Sequence, residues 1–215
     1  MMNAVTPTDY LPEKVSPLRH DAPGVVTSMP SPTKLHHIHI FSDTRYEEMV
    51  EYYKVMFNAE VIRVNPYGLT FMSFDDHDHR IVLIKREGAD EKPKNAIGVS
   101  HTAFCYASLG ELVYVYRTMT DAGYEGPAYC VNHGNSTAFY YRDPDGNQVE
   151  LMMDNFTTLE TQDYKRHYQW SEEFGQMSEG EFDPAKMADL YESGVPDTVL
   201  IDREEVRRLR REGKL

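Results

Sequence analysis

The chain carries one pattern twice. Leu35-His36-His37-Ile38 and Val99-Ser100-His101-Thr102 occupy matching places, with His101 64 positions after His37. Each opens a strand-like run, each run leads into a helical stretch, and each helix gives way to three more short strand-like runs. The first helix closes at Asn58 and the second at Gly123, 21 and 22 residues after the respective histidine. A unit of this size cannot bury its apolar side alone, so two copies imply a pair related by a pseudo-twofold.

In the first copy the strand spans 35–41, and Asp43-Thr44 opens a helix with Tyr46, Met49, Val50, Tyr53 and Met56 at three-to-four spacing. Runs at Glu60–Val64, Leu69–Phe74 and Arg80–Lys85 follow, and a polar stretch from Glu87 to Asn95 separates the copies. The second copy begins with Gly98–Tyr106. Ser108 then caps a helix carrying Leu112, Val113, Val115, Tyr116 and Met119. Strands are expected near 127–132, 137–142 and 147–153, the last two joined by Asp143-Pro144-Asp145-Gly146, a type I turn with Pro at its second position. The expectation is an α+β fold of two βαβββ modules, 34–95 and 96–155, forming one domain over 34–155. Residues 1–33 hold six of the twelve prolines and read as an extended N-terminal arm. Residues 156–215 read as a helical C-terminal extension of two or three helices, with Asp183-Pro184 as a helix start. It is expected on the outer face of the repeat or on a neighbouring subunit.

Composition narrows the function. A net charge of −13 argues against a nucleic-acid partner, which needs a basic footprint. No run approaches the ~18 apolar residues of a membrane span, and the N-terminus lacks a basic-then-apolar pattern. Cys105 and Cys130 suggest no disulfide framework. A reduced cytoplasmic protein is expected.

Seven of the nine histidines fall between positions 36 and 133. His37, His101 and Glu150 each lie in a strand-like run where an aliphatic residue would be ordinary. A buried imidazole or carboxylate without a partner costs several kcal/mol, so three such placements need a common cause. Taken singly, Glu150 is an ordinary hairpin glutamate and each histidine a hydrogen-bonded core residue. Taken together, at matched places of a repeat, they are two imidazoles and one carboxylate, the ligand set of non-haem Fe(II) oxygenases. Period-two alternation puts Glu150 on one face with Gln148 and Met152, and Val149, Leu151 and Met153 on the other.

Leu-His-His-Ile-His-Ile at 35–40, Val-Ser-His-Thr-Ala-Phe at 99–104 and Tyr-Tyr-Arg-Asp-Pro-Asp-Gly-Asn-Gln-Val-Glu-Leu at 140–151 resemble the vicinal oxygen chelate superfamily. That group includes glyoxalases, fosfomycin-resistance proteins, bleomycin-binding proteins and type I extradiol dioxygenases. The resemblance covers about 34–155 and implies a cup built from both modules, with metal ligands His37, His101 and Glu150. A glyoxalase-type site takes a fourth ligand from the last strand of the first module, but that place falls near Val82 or Leu83, both apolar.

The resemblance leans toward the ring-cleaving dioxygenases. It implies that His133 and Tyr140, in a His-Gly segment and ten residues ahead of Glu150, hydrogen-bond the bound catecholate and the oxygen intermediates. It places the acid–base role on His79. His39, on the face of His37, is read as an orienting neighbour of the ligands, with an alternative ligand or a core residue as the other readings. His36 is expected on the opposite face, as a structural residue. The implied activity is Fe(II)-dependent cleavage of a catechol-like aromatic by O2, with Mn(II) as the alternative ion, in a homodimer. Rival readings are a metal-dependent glyoxalase, isomerase or lyase of the same fold, and a small-molecule-binding resistance-type protein.

Overall fold

A computed structural model describes residues 29, 31–93, 97–168 and 180–215. Every element below belongs to the unit His36–Leu215. Most of the expected arm, 1–33, lies outside the described residues.

The first module runs β1 (Ile38–Ser42), α1 (Tyr46–Phe57), β2 (Glu60–Val64), β3 (Leu69–Ser73) and β4 (Ile81–Lys85), with sheet order β1-β4-β3-β2. β1 and β4 are parallel and the other pairs antiparallel. Alternation sends Ile38, Ile40, Ile81 and Leu83 under α1, where they meet Met49, Tyr53 and Met56. His39 and Phe41 take the opposite face and stay exposed. α1 starts at Tyr46, later than Asp43-Thr44 suggests, and has no side-chain cap. Asp43 is committed elsewhere, because its carboxylate accepts the Gly88 amide at 2.8 Å.

The second module repeats the order as β5 (His101–Cys105), α2 (Leu109–Asp121), β6 (Tyr129–Asn132), β7 (Ser136–Arg142) and β8 (Gln148–Asp154), arranged β5-β8-β7-β6. The expected α+β pair of βαβββ modules is the fold observed. Ser108 caps α2 through the Glu111 amide at 3.2 Å. The turn after β7 closes as a type I turn requires, with Gly146 N–H donating to the Asp143 carbonyl at 2.8 Å.

The ladders begin later than the residue pattern implies. β1 starts at Ile38, so His36 and His37 precede it and strand alternation does not govern them. The modules join through their helices and through aromatic contact. Phe57 and Phe104 lie 4.4 Å apart, and the Tyr106 hydroxyl donates to the Met56 carbonyl at 3.2 Å. The Arg45 guanidinium also donates to the Pro144 carbonyl.

The C-terminal segment supplies α3 (Thr158–Tyr168), α4 (Pro184–Glu192), α5 (Asp197–Leu200) and α6 (Arg203–Arg211). Asp183 caps α4 by accepting the Ala185 and Lys186 amides, as the sequence suggests. α4 lies on the outside of α2, where Arg117 pairs with Asp189 and Glu192 at 2.6 and 2.8 Å. Phe182, Met187, Leu200, Val206 and Leu209 enter the core. Gly180 and Phe182 also hydrogen-bond Asn132 and Cys130 along β6, so this segment covers the outer edge of the second sheet. Cys105 is exposed, Cys130 is buried, and both are free thiols. No helix among the described residues is long and apolar enough to cross a membrane.

Candidate metal centre

The face of the second sheet turned away from its helices carries a continuous polar chain. β8 aligns Glu150 between Ala103 of β5 and Tyr140 of β7, and His101 lies two residues before Ala103 on the same face. His101 Nε2 is 2.9 Å from Glu150 Oε2. The Tyr140 hydroxyl donates to Glu150 Oε1 at 2.8 Å, and His133 Nε2 lies 3.1 Å from that hydroxyl. Glu150 is only 8% exposed, so the carboxylate depends on these partners.

Burial, and then the hydrogen bond to Glu150, raises the Tyr140 hydroxyl above its ordinary pKa and keeps its proton on oxygen. Burial lowers the His133 imidazole, with Glu150 opposing, so the ring tends to neutral. Tyr129 stacks on Tyr140 at 4.3 Å, and Gln148 donates to the Tyr129 hydroxyl at 2.6 Å.

The first sheet presents a histidine group instead. His37 lies 5.0 Å from His39 and 4.6 Å from His79 between ring centroids. Partial desolvation, then the neighbouring His79 and His39, lower the His37 imidazole. His79 Nδ1 meets Asp78 Oδ2 at 2.6 Å. Register identifies the counterparts of the second module: His39 faces Val82 as Ala103 faces Glu150, and Phe71 faces Val82 as Tyr140 faces Glu150. Val82 is fully buried and apolar, so the first sheet offers no second carboxylate there.

The structure thus brings His101, Glu150, Tyr140 and His133 into one chain, and His37 and His79 into another. Among the described residues, one set of three potential donors lies within 4.8 Å of one another: His36, His37 and His79. His37 does not form such a set with His101 and Glu150. The pair itself fits a metal: adjacent donors about 2.1 Å from an octahedral ion are separated by about 3 Å, and His101 and Glu150 stand at 2.9 Å. A cleft of about 830 Å³ opens between β1 and β5, lined by His39, Phe41, Ser100, His101, Phe104 and Gln148 among others, and it meets the pair at His101.

His36 corrects the expectation of a structural residue on the opposite face. Its Nδ1 is 2.9 Å from His37 Nδ1, because neither residue is yet in the extended strand. Tyr129 and Asp78 were not singled out by the sequence. Pairing of β6 with β7 puts Tyr129 opposite Tyr140, a signal available once the strands are registered. Asp78 is next in sequence to the histidine it orients.

A family model described as the Glyoxalase/Bleomycin resistance protein/Dioxygenase superfamily matches residues 34–151. Biphenyl-2,3-diol 1,2-dioxygenase 3 of Rhodococcus globerulus is 37% identical over 158 residues, covering 72% of this chain and 80% of its own length. Biphenyl-2,3-diol 1,2-dioxygenase 2 of the same organism is 35% identical over 171 residues, with 78% and 86% covered. Among solved structures, a lactoylglutathione lyase from Agrobacterium tumefaciens is similar with a TM-score of 0.46 at 20% identity, over 58% of this chain and 96% of its own.

Proposed function

The chain belongs to the glyoxalase/bleomycin resistance protein/dioxygenase superfamily, and on that premise we propose that it is an extradiol dioxygenase opening the ring of a catechol-like aromatic with O2. The carboxylate–tyrosine–histidine chain Glu150–Tyr140–His133, alongside His101, carries this reading. The names of the two Rhodococcus relatives make a biphenyl-type 2,3-diol the first substrate to try.

His101 and Glu150, joined by His37 from the first module, would hold the metal. Fe(II), with Mn(II) as the alternative, supplies Lewis acidity toward the diol oxygens and the electronic means for dioxygen to react with a singlet ring. A three-residue set, with Val82 where a fourth donor would stand, leaves room for both substrate oxygens and O2.

The protein's own groups handle the protons. Tyr140 keeps its hydroxyl proton at neutral pH and can donate it to a substrate oxygen. His133, held neutral, can hydrogen-bond that hydroxyl across the 3.1 Å contact and so orient it. His79, with Nδ1 engaged by Asp78, has Nε2 left to take a proton from the diol, and the Asp78 carboxylate stabilises the imidazolium so formed. Both atoms of O2 enter the ring-opened semialdehyde acid, so no outside reductant is consumed. Pairing of two copies is supported by β2, where Val61, Ile62 and Val64 are exposed.

Anaerobic loading with Fe(II), then an oxygen electrode with catechol and biphenyl-2,3-diol, tests the reading. The expected result is one O2 consumed per ring with a yellow product, and joint loss of iron and activity in Glu150→Ala. Bound iron with no oxygen uptake on any diol would overturn it.

A further inference from the structure

The first module assembles more imidazole than the proposed reaction uses. His36 Nδ1 and His37 Nδ1 are 2.9 Å apart, and His79 brings a third donor within 4.8 Å of both residues' donors. The contact of the first two is a hydrogen bond between the rings. A tetrahedral ion with bonds of about 2.0–2.1 Å needs its donors about 3.3 Å apart, so a few tenths of an ångström of ring movement would admit one ion between them. His79 is already aimed: Asp78 holds its Nδ1 at 2.6 Å, the arrangement in which a carboxylate fixes the outer nitrogen of a metal-bound imidazole.

Arg80 ties the two carriers of these rings together. Its Nη1 donates to the His36 carbonyl at 2.9 Å, and its Nε donates to Asp75 Oδ2 at 2.9 Å, at the base of the loop bearing His79. The His36 side chain is 46% exposed, so an ion can arrive from solvent without unfolding anything. His77, 5.6 Å from His36 between ring centroids, stands beside the group.

We propose that His36, His37 and His79 form a second, inhibitory metal site that takes a late first-row divalent cation, with Zn(II) as the probe. Three imidazoles without a coordinating carboxylate favour Zn(II), Ni(II) or Cu(II) over Fe(II). A net charge of −13 raises the local concentration of any cation. His37 cannot serve two ions at once. Occupation of this site therefore removes one ligand from the catalytic set and His79 from the proton path, a consequence that rests on the function proposed above.

Zinc binding and zinc inhibition separate the two claims. The full-length His101→Ala/Glu150→Gln protein lacks the second-module ligands and should still bind one Zn(II) in calorimetric titration. Adding His36→Ala should weaken that binding by at least about tenfold. Absence of zinc binding in the double variant, or binding indifferent to His36, overturns the proposal whether or not the protein is a dioxygenase. Should the double variant lose its fold, the His36 ring resonances of the intact chain decide, and no shift at stoichiometric zinc is the overturning result. In iron-loaded enzyme, His36→Ala should leave activity without zinc unchanged and raise the zinc concentration for half inhibition at least tenfold; equal sensitivity overturns the competition.

Discussion

Tyr53, on the first module's helix, donates its hydroxyl to Asp143 in the second module's turn at 2.9 Å, both residues buried. The contact spans 90 residues and fixes the turn from which β8 carries Glu150. Asp143 also accepts the Asn147 amide at 2.8 Å, so the same carboxylate closes its own turn and docks it on α1.

Tyr53→Phe should cost about 1–3 kcal/mol, the penalty for stranding a buried polar group, measured by urea denaturation. The pH dependence has a definite sign. Burial raises the Asp143 pKa above its ordinary value, with the hydrogen bonds from Asn147 and Tyr53 opposing. Its contribution to stability is therefore full below about pH 4 and is lost as pH rises through the raised folded value. Tyr53→Phe should extend that window upward, and Asp143→Asn should remove this slope. A slope unchanged in Asp143→Asn would assign it to other groups.

Asp75 behaves oppositely. The Arg80 guanidinium holds its carboxyl down to about 2. Its stabilising contribution is present above about pH 4 and lost as pH falls toward 2. Arg80→Met should return Asp75 to the ordinary carboxylate range in a carbon-detected NMR titration. An Asp75 midpoint still near 2 would show that Arg80 is not the cause.

Tyr140→Phe keeps the ring stacked on Tyr129 and removes only the hydroxyl shared by Glu150 and His133. Iron content should persist while kcat falls by about a hundredfold or more, as expected for a lost proton donor. Full activity in this variant would exclude Tyr140 from the proton path.

His79→Ala should likewise retain iron and slow turnover by about a hundredfold. Single-turnover kinetics should place the loss after substrate binding. An unaltered rate would leave the His79–Asp78 pair without a part in the reaction.

Gly134 adopts φ +87, and a Cβ there would run into the Tyr164 hydroxyl. Gly134→Ala should cost about 1–2 kcal/mol for the left-handed backbone and more for the collision. Adding Tyr164→Ala should recover only the second part, read from the urea midpoints of the three variants. Complete recovery would mean that the backbone conformation costs nothing.

Local physics made much of this protein legible. The 3.6-residue spacing of Met49, Tyr53 and Met56 requires one buried helical stripe, and alternation from Gln148 to Met153 sends Glu150 to the face opposite the core. Asp183 and Ser108 cap the helices they precede because capping depends on residues two or three positions away. The shared order of the modules followed from the matched placement of His37 and His101.

The residues of the site could be named from a resemblance, but how they meet is set by distance across the fold. The meeting of His101 with Glu150 depends on parallel pairing of β5 with β8, which brings together residues 49 positions apart. The approach of His36 to His37 and His79 depends on where the β1 ladder begins, and on Arg80 tying the 75–80 loop to the His36 carbonyl. The extension settled on α2 through Arg117, although its own periodicity named no partner. Helical and strand periods fix which side of an element is apolar. Only packing in three dimensions decides which polar groups from separate elements come within bonding reach.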